Sequence, residues 1–399
     1  MDASPVPTTK RGIAWRAAGV ACLAASLVAC ASTSPRAGRV DETTDASAKA
    51  GFSLRLIGRQ RLEHGLQFGG TMVGGLSGID YDPAHDDYYL ISDDRSAFAP
   101  TRFYTARLSI DERRFDEVAL QTVVTLQRPD GSPFPAGAAD AEAVRYDPRT
   151  GDLWWTSEGD RRSAARRVDP FVRRASVDGR YVGDVPLDPM FRIVDNPRGP
   201  RDNLVFEGAS LSIDGGSLWV SMEGPLLQDG PMPTMSDGAW ARISRHDRDA
   251  AHGFGPLAAQ FAYRVDPIPS IGAWTMWHAL NGVAEILAID TTRMLVLERA
   301  LVLGAGWRIR LFEADWRTAT DVKAVDALVG VPGDALPFVP MTKRLVLDFD
   351  TLGIAIDNLE GLCFGPTLAN GHRTLVLVSD DNFNPGQVTQ FLAFEIIPH

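Results

Sequence analysis

Five short stretches of this 399-residue sequence share one arrangement of acids. In "VFEGASLSIDGGSLWVSMEG" (205–224), Glu207 precedes an apolar run, a turn follows at "DGG", and a second apolar run ends at Glu223. The pattern returns between Glu142 and Glu158, between Glu285 and Glu298 and between Glu360 and Asp380, and in variant form between Ser77 and Asp93. The starts, Ser77, Glu142, Glu207, Glu285 and Glu360, are 65, 65, 78 and 75 residues apart. Recurrence at such spacing makes the bracketing acids a rule of the architecture, not an accident of one hairpin. Only the first repeat departs, with Ser77 where the others have Glu.

Carboxylates gathered in one place repel one another. A folded chain offsets this by raised pKa values, by basic partners or by bound cations. Hard oxygen donors without thiolate or imidazole favour Ca2+ or Mg2+ over zinc. The seven histidines form no H-E-x-x-H and no close pair, so a zinc site is not expected. Bases stand beside several of the acids: Arg95 after "SDD", Arg299 directly after Glu298, and Arg161 and Arg162 around the end of "SEGDRR". Acids and bases recurring together suit a place where a metal and an anionic group meet. A plainer reading stays open, in which the acids only cap strand ends and shape turns.

The elements that must position these residues are strands. Each acid pair brackets a strand, a turn rich in Asp, Gly, Pro or Asn, and a second strand. Further strand-like runs follow: "RFYTARLSI" and "EVALQTVVTL" after the first repeat, "ARISRHD" and "AAQFAYRV" after the third, "WRIRLFEAD" and "KRLVLDFD" after the fourth. The fifth has only "QFLAFEII", and the N-terminal "FSLRLIGRQRL" (52–62) can complete it. Long helical periods are nearly absent. The sequence therefore predicts an all-β chain, a β-propeller of four-stranded blades with five repeats counted, closed by N- and C-terminal strands. Six blades is the alternative, with an irregular one inside 229–277, where the repeat spacing is longest. In such a ring the first strand of each blade lies beside the axis. Glu142, Glu207, Glu285 and Glu360 are then expected around one mouth of the channel, with Asp93, Glu158, Glu223, Glu298 and Asp380 returning toward it.

The formal charge of −11 argues against nucleic acid as a partner, since phosphate backbones need a basic face. The first residues read as an address: Lys10, Arg11 and Arg16, then the apolar "AAGVACLAASLVA". "LVAC" (27–30) resembles the lipobox of bacterial lipoproteins, which implies lipidation of Cys30; an ordinary cleaved signal peptide is the alternative. The expected organisation is a signal peptide over 1–30, a flexible Ser/Thr/Ala-rich tether over 31–50 and one propeller domain over 51–399. Ala31 after the cysteine implies an exported outer-membrane lipoprotein facing the periplasm or the cell surface, touching the membrane through its lipid anchor only. Cys363 is then the one thiol left in the mature chain, so no internal disulfide is expected, and "LCF" reads as core.

The signatures "GLSGIDYD…YLISDDRS", "DAEAVRYD…WTSEGD", "EGASLS…LWVSMEG" and "DNLEGLCFG…LVLVSDDNF" resemble the phytase-like family described as having esterase-like activity of phytase. The resemblance spans roughly residues 60–395 and implies phosphate-ester hydrolysis on a small anionic phosphoester. By that resemblance the family's acids fall on Asp93, Asp94, Glu142, Glu158, Glu207, Glu223, Glu285, Glu298, Glu360, Asp380 and Asp381. Ser77 is the departure, a gap in the ring. Other routes to ester cleavage lack their motifs: there is no "RHG", no Arg six residues after Cys363 and no G-x-S-x-G elbow. The expectation is a Ca2+-assisted phosphoric-ester hydrolase in which Glu207, Glu360, Arg95 and Arg299 act at the reacting centre. Its rival is a non-catalytic, surface-anchored binding propeller with a structural acidic ring.

Overall fold

The computed structural model describes residues 51–162, 167–269, 279–302, 304–329 and 335–399. The leader and tether, with Cys30, lie outside the described residues. Strand β1 (Phe52–Arg61) comes first, followed by a two-residue ribbon of β2 (Gln67–Phe68) and β3 (Thr71–Met72). Blade one is β4 (Leu76–Asp82), β5 (Asp87–Ser92), β6 (Arg102–Ile110) and β7 (Phe115–Thr125). Blade two is β8 (Ala141–Asp147), β9 (Asp152–Ser157), β10 (Phe171–Ser176) and β11 (Tyr181–Asp184). Blade three is β12 (Phe206–Leu211), β13 (Ser217–Met222), β14 (Ala239–Asp249) and β15 (Gly253–Val265). Blade four is β16 (Ala279–Ala288), β17 (Arg293–Val302), β18 (Gly306–Asp315) and β19 (Thr342–Asp348). Blade five is β20 (Asn358–Thr367), β21 (Arg373–Asp380) and β22 (Gln390–Pro398), completed by β1, which pairs antiparallel with β22 from Phe52↔Pro398 to Arg61↔Gln390.

This is a five-bladed β-propeller closed by strands from both ends of the chain, as expected. The alternative of a sixth blade fails, because the long third interval is taken up by β14 and β15, 11 and 13 residues long, inside blade three. The innermost strands β4, β8, β12, β16 and β20 each touch the next, and β20 returns to β4.

The core lies between blades. Ile79 and Tyr88 meet Val376 and Phe391 across the closure from blade five to blade one. Tyr89 and Phe103 meet Val144 and Trp155; Trp154 and Val172 meet Val220 and Phe254. Ile243 and Tyr263 meet Val283 and Val296, and Leu295 and Leu297 meet Leu362 and Leu392. Each large apolar side chain so buried contributes about 1.5–3 kcal/mol. Both faces of every blade are covered by its neighbours. That is why the second strands, such as β9 "DLWWTS" and β21 "RTLVLVSD", read as near-continuous apolar runs without a solvent face.

One irregularity repeats in every blade. The register between the two innermost strands slips by one residue between Leu76 and Gly78, within Ala141–Val144, between Phe206 and Gly208, between Val283 and Glu285, and between Leu359 and Gly361. Such a bulge re-aims one side chain per strand. The bulged residue is Ser77, Glu207, Ala284 or Glu360, with Glu142 in the corresponding place of blade two. Next to it stands Gly78, Gly208 or Gly361, where the inner strands crowd together. A Cβ on Gly78 would lie 2.4 Å from the Glu142 carbonyl oxygen, and one on Gly208 would lie 2.9 Å from the Glu285 Cα.

Three residues beyond the bulge, blade two sends Arg145 into the axis. Its buried guanidinium donates to the carbonyl oxygens of Ile79 (2.7 Å), Val144 (3.0 Å), Ala209 (2.6 Å), Ile286 (3.3 Å) and Leu362 (3.1 Å), one from the inner strand of each blade. The channel is thus filled at this level by a cation that five peptide groups coordinate.

Candidate functional site

The bulges decide which acids reach the mouth. Read by register, the bulge position carries Ser77, Glu142, Glu207, Ala284 and Glu360. The position just past the pairing partner on the second strand carries Asp93, Glu158, Glu223, Arg299 and Asp380. Blade four is therefore offset by one from the sequence alignment. An alanine and an arginine take the places that other blades give to acids, and Glu285 and Glu298 turn elsewhere.

Arg299, from blade four, sits among the carboxylates of blades three and five. Its guanidinium contacts Glu223 at 2.9 Å and Glu207 at 3.7 Å, pairs closely with Glu360, and donates to the Asn358 side-chain oxygen at 3.0 Å. Burial works against its charge, but Glu223 and Glu207 outweigh burial and raise its pKa, so it stays cationic. Gly282, paired with Arg299 across the ladder, leaves the space this needs; a Cβ there would stand 2.5 Å from Glu223 Cγ. Asn358 also donates to Glu360 (2.8 Å) and to Asp380 (3.2 Å).

Around the mouth lie two overlapping groups of possible ligands, Asp140 with Glu142 and Glu158, and Glu158 with the Glu207 and Glu223 that Arg299 contacts, each with oxygens within 4.8 Å of one another. Both clusters are buried, and they could hold a metal ion. Glu158 belongs to both. Its Oε1 accepts the Val205 N–H at 2.5 Å, while its buried Oε2 has no hydrogen-bond partner. A charged oxygen left so is costly unless something electropositive completes it, and a hard cation fits these all-oxygen donors.

The electrostatics follow from crowding in a dry place. Burial, then neighbouring carboxylates, push Glu142, Glu158 and Glu207 well above the usual range, the strongest carboxylate contributors being Glu207, Asp140 and Glu223 respectively. Asp93 is raised likewise by burial and then by Asp380. Burial lifts Asp380 to about 7, against the Asn382 N–H that donates to it at 2.7 Å. Asp140, raised by burial and held back by Arg95, reaches about 6. Arg95 pairs with Asp140 and with the Asn203 side chain, and its side chain keeps 24% exposure, so it is the cation of the mouth that solvent reaches more readily than Arg299, at 12%.

Of the nine acids expected as ligands, the structure brings together Asp93, Glu142, Glu158, Glu207, Glu223, Glu360 and Asp380. Glu285 instead reaches the axis, where Oε1 accepts the N–H groups of Ala209 (2.8 Å) and Ile286 (2.9 Å) and Oε2 lies 2.6 Å from Arg145. Burial raises it to about 8 even against that cation. Glu298 turns to the junction of blades three and four and takes Tyr263 Oη (2.8 Å), Lys343 Nζ (2.5 Å) and Asn281 Nδ2 (3.1 Å). Asp94 pins a loop, accepting the N–H groups of Ala97, Phe98 and Ala99 and pairing with buried Arg102 at 2.7 Å. Asp381 accepts from the N–H groups of Gly75 (3.0 Å) and Phe383 (3.1 Å). Arg161 is spent on the carbonyls of Val194, Asn196, Arg198 and Pro200, and Arg162 on Asp160, so neither joins the mouth. Cys363 is fully buried beside the axis, a core thiol whose pKa burial pushes up.

The sequence reading missed Asp140. It lies two residues before the bulge position, and nothing in the repeat marks it; "DAEAV" offered two acids, and the pattern selected only the second. The blade-four offset did leave a trace. The residue after the acid is small in "EG", "EA" and "EG" but is Ile286 in "EI".

The sequence profile of a family, phytase-like, described as "Esterase-like activity of phytase", matches residues 71–383. No curated protein matches the chain. Among solved structures, a putative oxidoreductase (glucose dehydrogenase) from Thermus thermophilus shares 13% identity, covering 86% of this chain and 100% of its own, with a TM-score of 0.35. A GH43 β-1,3-galactosidase shares 11% over 84% of this chain and 94% of its own, with a TM-score of 0.42. The periplasmic gluconolactonase of Pseudomonas aeruginosa shares 15% over 82% and 90%, with a TM-score of 0.33.

Proposed function

This chain belongs to the phytase-like family, and from that premise we propose that it is a Ca2+-assisted phosphoric-ester hydrolase acting on a small anionic phosphoester at the acidic mouth. The observation that carries the reading is the unpartnered, buried Oε2 of Glu158, shared by two carboxylate triads. Asp140, Glu142, Glu158, Glu207 and Glu223 are the residues that would hold the ion. When bound, it supplies charge neutralisation of a phosphoryl group and acidifies a coordinated water. The chain's own groups do the rest. Asp380, lifted to about 7, is matched to taking up a proton near neutral pH, and Asp140, at about 6, is the second such carboxyl. Arg95, partly exposed, is placed to meet an incoming anion; Arg299 fixes Glu207 and Glu360 in position and spreads positive charge over the ring. The basic and apolar leader ending at Cys30 supports export and anchorage at the outer membrane by lipid.

A second reading is favoured by Arg299 alone. By standing in the place of an acid and engaging three carboxylates, it already compensates part of the ring, as a purely structural ring in a binding propeller requires. One experiment separates the two. The chelator-stripped full chain is assayed for phosphomonoester and phosphodiester hydrolysis with and without Ca2+, beside Glu207→Gln. Calcium-dependent turnover lost in the variant upholds the hydrolase. Calcium binding that only raises Tm upholds the binding propeller.

A further inference from the structure

Blade one is the open side of the acidic ring. Its bulge residue is Ser77, whose hydroxyl donates back to the carbonyl oxygens of Ala141 and Glu142, and the chain before it is Gly74–Gly75, without side chains. Into this gap points an aromatic pair. Phe98 and Phe383 stack with ring centroids 4.6 Å apart at 28°, and Phe98 is 61% exposed. A Cβ on Gly75 would meet both Asp93 Oδ1, at 2.1 Å, and the Phe383 ring, at 2.7 Å, so the Phe383 ring adjoins the Asp93 carboxylate, with Phe98 stacked on it.

The pair is held, not loose. The loop carrying Phe98 is gathered by three N–H groups onto Asp94, itself paired with buried Arg102. Phe383 and Asn382 both adopt left-handed backbone, φ 50° and 48°, which Asn tolerates but which is unfavourable for a bulky Phe. The Asp381 carboxylate accepts the Phe383 N–H and fixes that conformation, and the Arg102 guanidinium lies 6.0 Å over the Phe383 ring. Strain of this kind persists where surrounding structure enforces it, and it gathers at ligand sites. The aromatic wall carries no formal charge and leaves the net charge of the acids uncompensated. It offers a flat apolar surface to a ligand that reaches the mouth.

We propose that Phe98 and Phe383 form a leaving-group subsite and that the substrate class is an aryl phosphoester, a single phosphoryl group carried on a planar ring. This rests on the hydrolase reading above and narrows it. Around the mouth stand Asp93, Asp140, Glu142, Glu158, Glu207, Glu223, Glu360 and Asp380, with Arg95 and Arg299 the cations among the described residues that oppose them there. A densely phosphorylated polyol would bring many negative charges to this surface and leave the aromatic wall unused. One phosphoryl group on a ring uses both.

The test compares Ca2+-loaded full chain and Phe98→Ala on 2-naphthyl phosphate, glycerol 2-phosphate and inositol hexakisphosphate, and separately measures binding of phenylphosphonate and methylphosphonate, which are not hydrolysed. Phe98 is largely exposed, so its removal leaves the fold intact. The expected result is an aryl-over-alkyl preference of about fivefold in kcat/KM and in affinity, abolished by Phe98→Ala. Equal affinity for the two phosphonates, binding of neither, an unchanged preference in the variant, or faster turnover of the hexakisphosphate overturns the subsite. A phosphonate preference that Phe98→Ala removes, with no ester turned over, upholds the subsite and overturns the hydrolase reading alone.

Discussion

Raising the pH on metal-free protein should weaken it, and by an amount the ring sets. Folding lifts Asp380 from 3.8 to about 7 and Asp140 from 3.8 to about 6. Between the unfolded and folded values the native state holds protons that the unfolded chain has lost, so stability falls as pH rises through that window. At about 1.36 kcal/mol per unit, these two groups taken separately would cost about 4 and about 3 kcal/mol. They lie in one coupled ring, so a joint loss of about 4 kcal/mol is the sounder figure. His246, buried and neutral with its pKa lowered by burial, works the other way and gains as pH rises through its unfolded value. Glu285, raised to about 8, adds to the loss but sits at the axis, away from the ring. For a domain of this size the ring's share of about 4 kcal/mol lowers Tm by about 5 °C, and Glu285 deepens the drop. The assay is thermal unfolding by circular dichroism at pH 5, 6.5 and 8, in chelator and in millimolar Ca2+. In chelator Tm should drop across the series; Ca2+ should restore most of it at pH 8 and change little at pH 5, where protons occupy the ring. A Tm that is flat or rises from pH 5 to 8 in chelator would refute the reasoning.

Three further outcomes are expected. Glu158→Gln removes the shared carboxylate, so metal-free protein at pH 8 should gain about 1 kcal/mol in urea unfolding, while Ca2+ affinity by calorimetry falls at least about tenfold. Arg299→Met leaves Glu207, Glu223 and Glu360 without their cation and should cost about 3–5 kcal/mol in chelator, a loss partly reversed by lowering the pH to 5. Cys363 should resist Ellman's reagent in native buffer at pH 8 and react fully in guanidinium chloride, since the thiol is buried and its pKa is raised.

The fold was legible because the repeat is long and each inner strand is covered on both faces, so the apolar runs and their turns recur at one spacing. The strand that completes blade five was legible for the same reason: Phe52–Arg61 is a strand with no partner nearby in sequence. What spacing could not show was register. Every blade carries the bulge, which adds one residue without changing composition, and in blade four the acids stand one place off it: Glu285 goes to Arg145 and Glu298 to Lys343 and Tyr263, while Arg299 enters the ring. Asp140 was hidden for another reason. It reaches the mouth from the connection before β8, outside the hairpin that the pattern tracks. Asp94 and Asp381 follow true ring acids in "SDD", yet a neighbour in sequence faces away, and each ties down a loop instead.

The pairing of β1 with β22 has a consequence for how the molecule comes into being. Residues 52–61 are made long before 390–398 and stay without their partner until those follow, so blade five cannot finish before β22 is made. The five carbonyl bonds of Arg145 likewise demand that all inner strands be present at once. Contacts of such long sequence separation make for slow, late assembly. Loss of β22 alone would leave an open arc, with β21 and β1 as bare edges inviting other chains.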